Sequence, residues 1–189
     1  MVTAQRFSNS TLILIGHGST KNRDSRRAVE RHGAELRRRG LFGHVLECYY
    51  KEPPFLRETW DRIPTDESFA IPVFMSEGYF TGEIIPRELG LARDPGGAAP
   101  VGRRGRRLLR YGRPVGTHPS MNGVVLALAE GVVRQYPGPP APRREETALV
   151  IAGHGTRKTE RSREVIDRQV ATIRQLSRYA EVHAAFMEE

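Results

Sequence analysis

Short apolar runs recur along the chain and are separated by segments with helical periodicity or turn residues. Such runs predict strands buried in a sheet, and the amphipathic segments between them predict helices. The predicted strands span 12–15, 44–50, 69–75 and 108–115, and the predicted helices run from Ser19 or Thr20 to about Arg39, from Pro53 and Pro54 towards Ile63, and from Met121 to about Gln135. Gly40 is predicted to stop the first helix. This alternation predicts an α/β fold with a four-stranded parallel sheet of flavodoxin-like type, flanked by helices.

One stretch of the chain occurs twice. The sequence L-I-L-I-G-H-G-S at 12–19 returns as L-V-I-A-G-H-G-T at 149–156, an offset of 137 residues. At this offset the copies align without a gap from 11–52 to 148–189. Identical pairs include Ser25 and Ser162, Arg26 and Arg163, Arg37 and Arg174, Val45 and Val182, and Glu52 and Glu189. The alignment indicates an internal duplication whose second copy is incomplete.

The duplication sets the predicted domain boundaries. Residues 1–136 form the first lobe, 137–146 a linker rich in proline and charge, and 147–189 the start of the second lobe. Within the first lobe, 1–10 is predicted to be a short leader, 91–105 a mobile loop, and Pro72 the mark of a bulge or an edge strand. An incomplete lobe exposes apolar surface, so we expect it to pack on the first lobe, on a second copy in a homo-oligomer, or on chain beyond Glu189.

Composition restricts the class of protein. A hydrophobic share of 38% permits an ordinary core, and the sequence has neither a run of membrane-spanning length nor a signal-peptide core, which favours a cytoplasmic protein. Cys48 is the single cysteine, which excludes an intramolecular disulfide and a thiolate metal cluster. The net charge of +8 favours an anionic partner, although an arginine bias also accompanies some genome compositions. The basic run at 103–107 lacks interleaved aromatic residues, so no nucleic acid is expected.

A histidine between two glycines follows the first predicted strand. His17 and its repeat counterpart His154 therefore stand at the carboxyl ends of strands, where open parallel sheets bind ligands. Flanking glycines allow the backbone and a ligand to approach closely. Ser19 is placed to cap the following helix. A lone histidine of this kind is as often a structural turn residue, but its recurrence favours a functional site.

Other chemistry-bearing side chains are predicted to lie at the same edge. The segment 76–87 follows the third strand, and Gly116-Thr117-His118 follows the fourth. His32 falls on the face of the first helix and is not expected to be a ligand. The candidates at this edge are the carboxylates Glu77 and Glu83, the aromatic residues Tyr79 and Phe80, the arginines Arg87 and Arg113, and His118.

The combination of these motifs resembles a known family. The G-H-G-S turn, the run I-P-V-F-M-S-E-G at 71–78 with Ile85-Pro86 after it, and P-V-G-T-H-P at 114–119 are together similar to the sirohydrochlorin chelatases of the CbiX/SirB type. The resemblance covers essentially the whole chain, including the duplication. It implies a duplicated chelatase-like fold whose two lobes face each other across a cleft. The implied reaction inserts a divalent metal, cobalt or ferrous iron and in some members nickel, into a reduced tetrapyrrole. The metal is then a substrate, and no cofactor is expected to be encoded within this segment.

The resemblance assigns roles to individual residues. His17 matches the family's first active-site histidine, and His154 is its counterpart in the second lobe. Phe80 departs from the pattern, because relatives usually carry a second histidine there. Two alternatives stay open: a side chain among His118, His154, Glu77 and Glu83 compensates, or the chain is a divergent branch of the family with altered activity. Some longer relatives carry an additional cysteine-rich, iron–sulfur-binding region, which this segment does not supply.

The residue types suit metal insertion. Two pyrrole N–H protons must leave while a divalent ion exchanges water for ring nitrogens, and neutral imidazole and carboxylates can bind the ion or accept those protons. His17 is the expected metal-delivering or proton-accepting group, with Glu77 and Glu83 as carboxylates and His118 and His154 as further metal ligands. Arg87 and Arg113 are expected to bind the substrate's carboxylates, and Ser19, Tyr79 and Phe80 complete the predicted substrate site.

Two other functions compete with this one. A histidine phosphatase would need an arginine where Gly16 stands, which weakens that hypothesis. A metal or tetrapyrrole carrier without catalytic activity is consistent with the loss of histidine at Phe80.

Overall fold

The structure, a computed structural model, describes residues 7–92, 99–136, 138, 142–155, 161–176 and 178–187. Its strands are β1 (Phe7–Gly16), β2 (Phe42–Tyr49), β3 (Glu67–Pro72), β4 (Val101–Arg104), β5 (Arg107–Tyr111), β6 (Ala148–Gly153) and β7 (Glu181–Phe186). Its α-helices are α1 (Arg27–Arg39), α2 (Thr59–Arg62), α3 (Ile85–Glu88), α4 (Met121–Arg134) and α5 (Arg161–Gln175). None of the described helices is long and apolar enough to cross a membrane.

The first compact unit, which comprises 1–75 and 80–115, contains a five-stranded sheet in the order β2-β1-β3-β5-β4. Four of its strands are parallel, which confirms the prediction of an α/β fold with a parallel sheet flanked by helices. The fifth strand, β4, pairs antiparallel with β5 at the edge. The predicted mobile loop was therefore wrong over 101–104, because these residues form a hairpin with the next strand. Residues 93–98 of that loop lie outside the described part of the chain.

Strand β1 lies between β2 and β3, and its residues from Ser10 to Gly16 are buried. The predicted leader at 1–10 was wrong over 7–10, because these residues form the start of β1. Leu12 and Leu14 pack beside Val29 of α1, whereas Ile13 and Ile15 face the opposite layer. That layer contains Trp60 of α2 and Ile85 of α3, together with Leu89 and Leu109. Alternate side chains of a strand point to opposite faces, so the continuous apolar run of β1 is what burial between two helical layers requires.

Pro72 ends a central strand, and the prediction of a bulge or an edge strand was wrong. Gly112 donates to the Ala70 carbonyl on the β5 side, and Val73 donates to Ile15 on the β1 side. Because backbone groups alternate sides, the nitrogen of Pro72 faces the β5 side. The next hydrogen bond of this parallel ladder would run from an N–H at position 72 to the Gly112 carbonyl. Proline has no N–H, so Pro72 marks the end of the pairing between β3 and β5.

The first two helices start later than the sequence predicts, whereas α4 begins at Met121 as predicted. A 3₁₀ turn at Arg23–Arg26 precedes α1, and the Asn22 side chain accepts the Asp24 N–H at 2.8 Å. The predicted stop at Gly40 is confirmed, since this residue adopts a left-handed φ of 62° at the end of α1. The second helix is short, a 3₁₀ turn at Leu56–Glu58 followed by α2. The predicted fourth strand ends at Tyr111 instead of Val115.

The second compact unit comprises 76–79 and 116–189. Strands β6 and β7 form a parallel pair, and α4 and α5 pack beside them. The packed side chains include Leu126 of α4, Val170 and Ile173 of α5, and Val182 of β7. Contacts thus place α4 with the second unit, whereas the repeat places it in a first lobe of 1–136. The lobe and linker boundaries at 136 and 146 were set from the sequence repeat, and they stay a prediction.

Equivalent contacts recur in the two units at the 137-residue offset. Arg37 donates from Nη2 to the Val45 carbonyl at 2.8 Å, and Arg174 donates from Nη2 to the Val182 carbonyl at 2.6 Å. A stacking contact also recurs: the Arg26 guanidinium lies 5.0 Å from the Tyr49 ring centroid, and that of Arg163 lies 5.0 Å from the Phe186 ring centroid. The duplication is therefore preserved in side-chain packing as well as in sequence.

Candidate functional site

The Gly-His-Gly turn requires both of its glycines. A Cβ on Gly16 would lie 2.8 Å from the Tyr49 ring, and Gly18 has a φ of +68°, which side chains other than glycine rarely allow. The turn connects the end of β1 to the segment before α1, and the His17 carbonyl accepts the Lys51 N–H at 3.0 Å. Two close packing contacts and one backbone bond hold the turn, so the position of His17 is built into the fold.

The hydrogen bond of the His17 ring defines its neutral tautomer. Nδ1 lies 2.9 Å from the Gly18 carbonyl oxygen. A carbonyl oxygen only accepts hydrogen bonds, so Nδ1 carries the proton and Nε2 keeps its lone pair in the neutral ring. The side chain is exposed. His17 therefore presents a nitrogen to solvent that can ligate a divalent cation or accept a proton.

Aromatic side chains surround the His17 ring. The Phe80 ring centroid lies 5.2 Å from that of His17, and the Tyr50 centroid lies 6.0 Å away. Tyr50 and Phe80 pack edge to face at 5.0 Å, and Phe74 lies 5.4 Å behind Phe80. Sequence reasoning placed Phe80 here but missed Tyr50 and Phe74. The only indication in the sequence was their position: Tyr50 directly follows β2, and Phe74 lies two residues after β3.

Phe80 is carried by an unusual turn. Residues Phe80–Ile84 form a π-helical turn that leads into α3. The buried hydroxyl of Tyr111 donates to the Thr81 carbonyl at 2.7 Å. Wide π turns leave backbone carbonyls without regular helical partners, and they are frequent at functional sites. The hydroxyl of Tyr111 fixes this turn and thereby the ring of Phe80.

The carboxylate of Glu52 forms hydrogen bonds with the segment that follows His17. Its Oε1 accepts the Ser19 N–H at 3.1 Å and the Ser25 hydroxyl at 3.3 Å, while its Oε2 lies 3.7 Å from Arg26 Nη1. The residue is only 9% exposed. Sequence reasoning did not select Glu52 as a site residue, although the identity of Glu52, Ser25 and Arg26 with their repeat counterparts was the available signal.

The other predicted residues of the first unit are exposed or make local contacts. Ser19 Oγ accepts the N–H groups of Lys21 and Asn22, each at 3.1 Å, in a turn that precedes the first helical residue. The prediction that Ser19 caps the helix was therefore wrong, because Asn22 caps the 3₁₀ turn and α1 starts only at Arg27. Glu83 lies exposed on the π turn. Arg87 is exposed, with Nη2 3.9 Å from Glu88, and Arg113 is also exposed.

In the second unit, the hydrogen bonds of His118 differ from those of His17. Its Nδ1 accepts the Ser120 N–H at 3.2 Å and lies 2.7 Å from the Ser120 hydroxyl. The neutral ring therefore carries its proton on Nε2, so ligation through Nε2 would require a change of tautomer. This geometry favours a local structural role in the turn before α4. Glu77, Tyr79 and His154 also belong to this unit, and His154 is exposed after β6.

No group of three or more His, Cys, Asp or Glu side chains that could hold a metal ion occurs among the described residues. His17 is thus an exposed imidazole with aromatic neighbours, and it belongs to no such group within the described part of the chain. Such an arrangement can bind a cation transiently and pass it on, and the aromatic rings offer apolar faces beside it.

Comparison with known proteins identifies the family. The family model described as CbiX matches residues 11–131. A curated relative from Halobacterium salinarum, named probable sirohydrochlorin cobaltochelatase, is 34% identical over 94% of this chain. The match covers 63% of the relative, so this chain spans less than two thirds of that protein's length. The chain belongs to the CbiX family.

Solved structures share the fold. A multi-domain protein from Deinococcus radiodurans, described as structurally similar to chelatases with two additional novel domains, matches with a TM-score of 0.77 and 29% identity over 95% of this chain and 39% of its own. The sirohydrochlorin chelatase SirB from Bacillus subtilis subspecies spizizenii, solved in complex with cobalt, matches with a TM-score of 0.70 and 11% identity, covering 94% of this chain and 67% of that one. The second likeness establishes the fold alone.

Proposed function

We propose that this chain belongs to a chelatase that inserts a divalent metal, cobalt or ferrous iron, into sirohydrochlorin or a related tetrapyrrole. The observation that carries the proposal is the exposed Nε2 of His17, whose lone pair is available because Nδ1 donates to Gly18. The membership of the CbiX family and the name of the Halobacterium relative supply the substrate class.

The reaction consumes a divalent ion and a ring with two pyrrole N–H groups, and it yields the metallated ring and two protons. His17 Nε2 binds the incoming ion or accepts the first proton, since a neutral imidazole does either near neutral pH. Glu83 is the exposed carboxylate of the first unit that we assign to proton transfer. The aromatic faces of Tyr50 and Phe80 are proposed to contact the macrocycle.

The remaining predicted residues stay hypotheses about single positions. Glu77 as a carboxylate, Tyr79 as a macrocycle contact, and His118 and His154 as metal ligands are each to be tested by substitution. Arg87 and Arg113 are proposed to pair with substrate carboxylates, because a guanidinium fork matches a carboxylate in two hydrogen bonds.

Absorbance-monitored insertion of cobalt and of ferrous iron into sirohydrochlorin tests the proposal. We expect His17→Ala to lower the insertion rate by about a hundredfold or more, as is usual for loss of a group that contacts the reacting atoms. His32→Ala, on the exposed face of α1, is the matched control and should keep the wild-type rate.

A carrier is the second candidate function, because Phe80 places an aromatic ring where a second ligand would lie beside His17. Binding of sirohydrochlorin without insertion above the spontaneous rate would support the carrier and contradict the chelatase. Hydrolysis of a phosphate ester that depends on His17 would contradict both.

A further inference from the structure

We infer that Glu52 is a positioning residue that acts on His17 through the peptide group between Gly18 and Ser19. The carbonyl of this peptide accepts from His17 Nδ1 at 2.9 Å, and its N–H donates to Glu52 Oε1 at 3.1 Å. One planar amide thus connects a carboxylate on one side to the imidazole on the other. The inference rests on the proposed function for the divalent metal that His17 binds, whereas the effect of Glu52 on the His17 tautomer is independent of it.

The chain of hydrogen bonds has one direction. A carboxylate can only accept, so the Ser19 N–H points to Glu52 and the Gly18 carbonyl points to the ring. The negative charge of Glu52 polarises the amide and makes its carbonyl oxygen a stronger acceptor. A stronger acceptor at Nδ1 favours the tautomer with a lone pair on Nε2 and increases the electron density of that nitrogen. Metal-binding histidines commonly gain this effect from a carboxylate or a carbonyl that accepts from the ring directly. Here the carbonyl of Gly18 is the direct partner, and the carboxylate of Glu52 acts through the same peptide group.

The surroundings keep Glu52 in place for this role. Its two oxygens are divided between partners, Oε1 to Ser19 and Ser25 and Oε2 towards Arg26. A Cβ on Gly18 would lie 2.8 Å from Glu52 Cγ, so the carboxylate approaches the turn only because residue 18 has no side chain. At 9% exposure, the charge is poorly screened by solvent and acts strongly on the adjacent amide.

The repeat carries the same residue types at the matching positions. Glu52, Ser25 and Arg26 correspond to Glu189, Ser162 and Arg163 in sequence. Gly155 adopts a φ of +72°, close to the +68° of Gly18. The residue types of this support therefore accompany the Gly-His-Gly turn in both copies of the sequence.

The test compares Glu52→Gln and Glu52→Ala with the wild type in two measurements on the metal-free, full chain. Long-range ¹H–¹⁵N correlation spectra report the tautomer of His17, whose signals are assigned by their loss in His17→Gln. Isothermal titration with Co²⁺ reports metal affinity. Glu58 provides the matched control, because its carboxylate also accepts a backbone N–H, that of Phe55 at 3.0 Å, but at the 3₁₀ turn Leu56–Glu58 instead of the peptide between Gly18 and Ser19.

We expect Glu52→Ala to mix the two His17 tautomers and to weaken Co²⁺ binding about 10- to 100-fold, the usual effect of removing a group behind a metal-binding histidine. Glu52→Gln keeps an oxygen acceptor but loses the charge, so it should largely retain the tautomer and weaken binding on the order of threefold to tenfold. Glu58→Ala should change neither measurement.

An unchanged tautomer and an unchanged Co²⁺ affinity in both Glu52 variants would overturn the inference. Glu52→Gln keeps the shape of the side chain, so the conclusion does not depend on whether Glu52→Ala folds. The tautomer measurement requires no metal insertion. Failure of the wild-type protein to insert metal would contradict the proposed function while leaving this coupling measurable.

Discussion

Gly18 and Glu52 approach so closely that a Cβ on Gly18 would lie 2.8 Å from Glu52 Cγ and 2.9 Å from Oε1. Gly18→Ala should therefore add a steric clash to the cost of a left-handed backbone, about 1–2 kcal/mol for the backbone and a further 1–3 kcal/mol for the clash. Gly40→Ala is the control, since Gly40 has a φ of +62° and a Cβ there would have no described atom within 4 Å. Urea unfolding should show the larger loss for Gly18→Ala, and equal losses would contradict the predicted clash.

Removal of the hydroxyl from two buried tyrosines is expected to change the free energy of unfolding differently. Tyr111→Phe loses the bond to the Thr81 carbonyl and should lower the free energy of unfolding by about 1–2 kcal/mol. The Tyr49 hydroxyl is buried and has no hydrogen-bond partner among the described residues, and the repeat has Phe186 at the matching position. Tyr49→Phe should be neutral or raise the free energy of unfolding by up to about 1 kcal/mol. Thermal and urea unfolding measure both, and a loss in Tyr49→Phe would show that its hydroxyl has a stabilising partner.

We expect the buried thiol of Cys48 to lower the free energy of unfolding at alkaline pH. Burial raises the pKa of the Cys48 thiol to about 11, from the ordinary value of 9.0. Below pH 9 both states keep the proton, but between about pH 9 and pH 11 the unfolded chain releases it first and is favoured. This group should contribute roughly 2–3 kcal/mol of stability that is lost across that range.

The measurement for Cys48 is the free energy of unfolding as a function of pH. Burial also raises the pKa of Tyr49, to about 12, so the difference between wild type and Cys48→Ala isolates the thiol. Cys48→Ala is expected to be less stable at neutral pH because of its cavity, yet flatter between about pH 9 and pH 11. Parallel curves for the two proteins would rule out the raised pKa.

Phe80→His should create a second ligand beside His17. The ring centroids of Phe80 and His17 lie 5.2 Å apart, a separation from which two imidazoles can ligate one ion. We expect Co²⁺ affinity to rise by about tenfold or more, measured by calorimetry, since a second nitrogen ligand adds more than about 1.4 kcal/mol. Phe74→His, one ring farther from His17, is the control. Equal affinities in both variants would place the added ring out of reach of the ion.

Local patterns in the sequence predicted most of the fold. The apolar run at 12–15 and the stop at Gly40 depend on short-range rules of burial and helix termination, and both are confirmed. The same rules placed Phe80 at the same sheet edge as His17, because the carboxyl ends of parallel strands lie on one side of a sheet. They did not reveal β4, since its pairing with β5 depends on a hairpin that includes a turn glycine within an arginine run.

By itself the sequence determined the duplication, the Gly-His-Gly turn at the end of a buried strand, and the family resemblance, because all three are written in residue order. Only the tertiary structure showed that Glu52 lies behind the turn and that His17 donates through Nδ1. It also placed α4 in the second unit. These features join residues distant in sequence or select one of two ring nitrogens, and packing and hydrogen-bond direction decide them in ways that spacing along the chain does not encode.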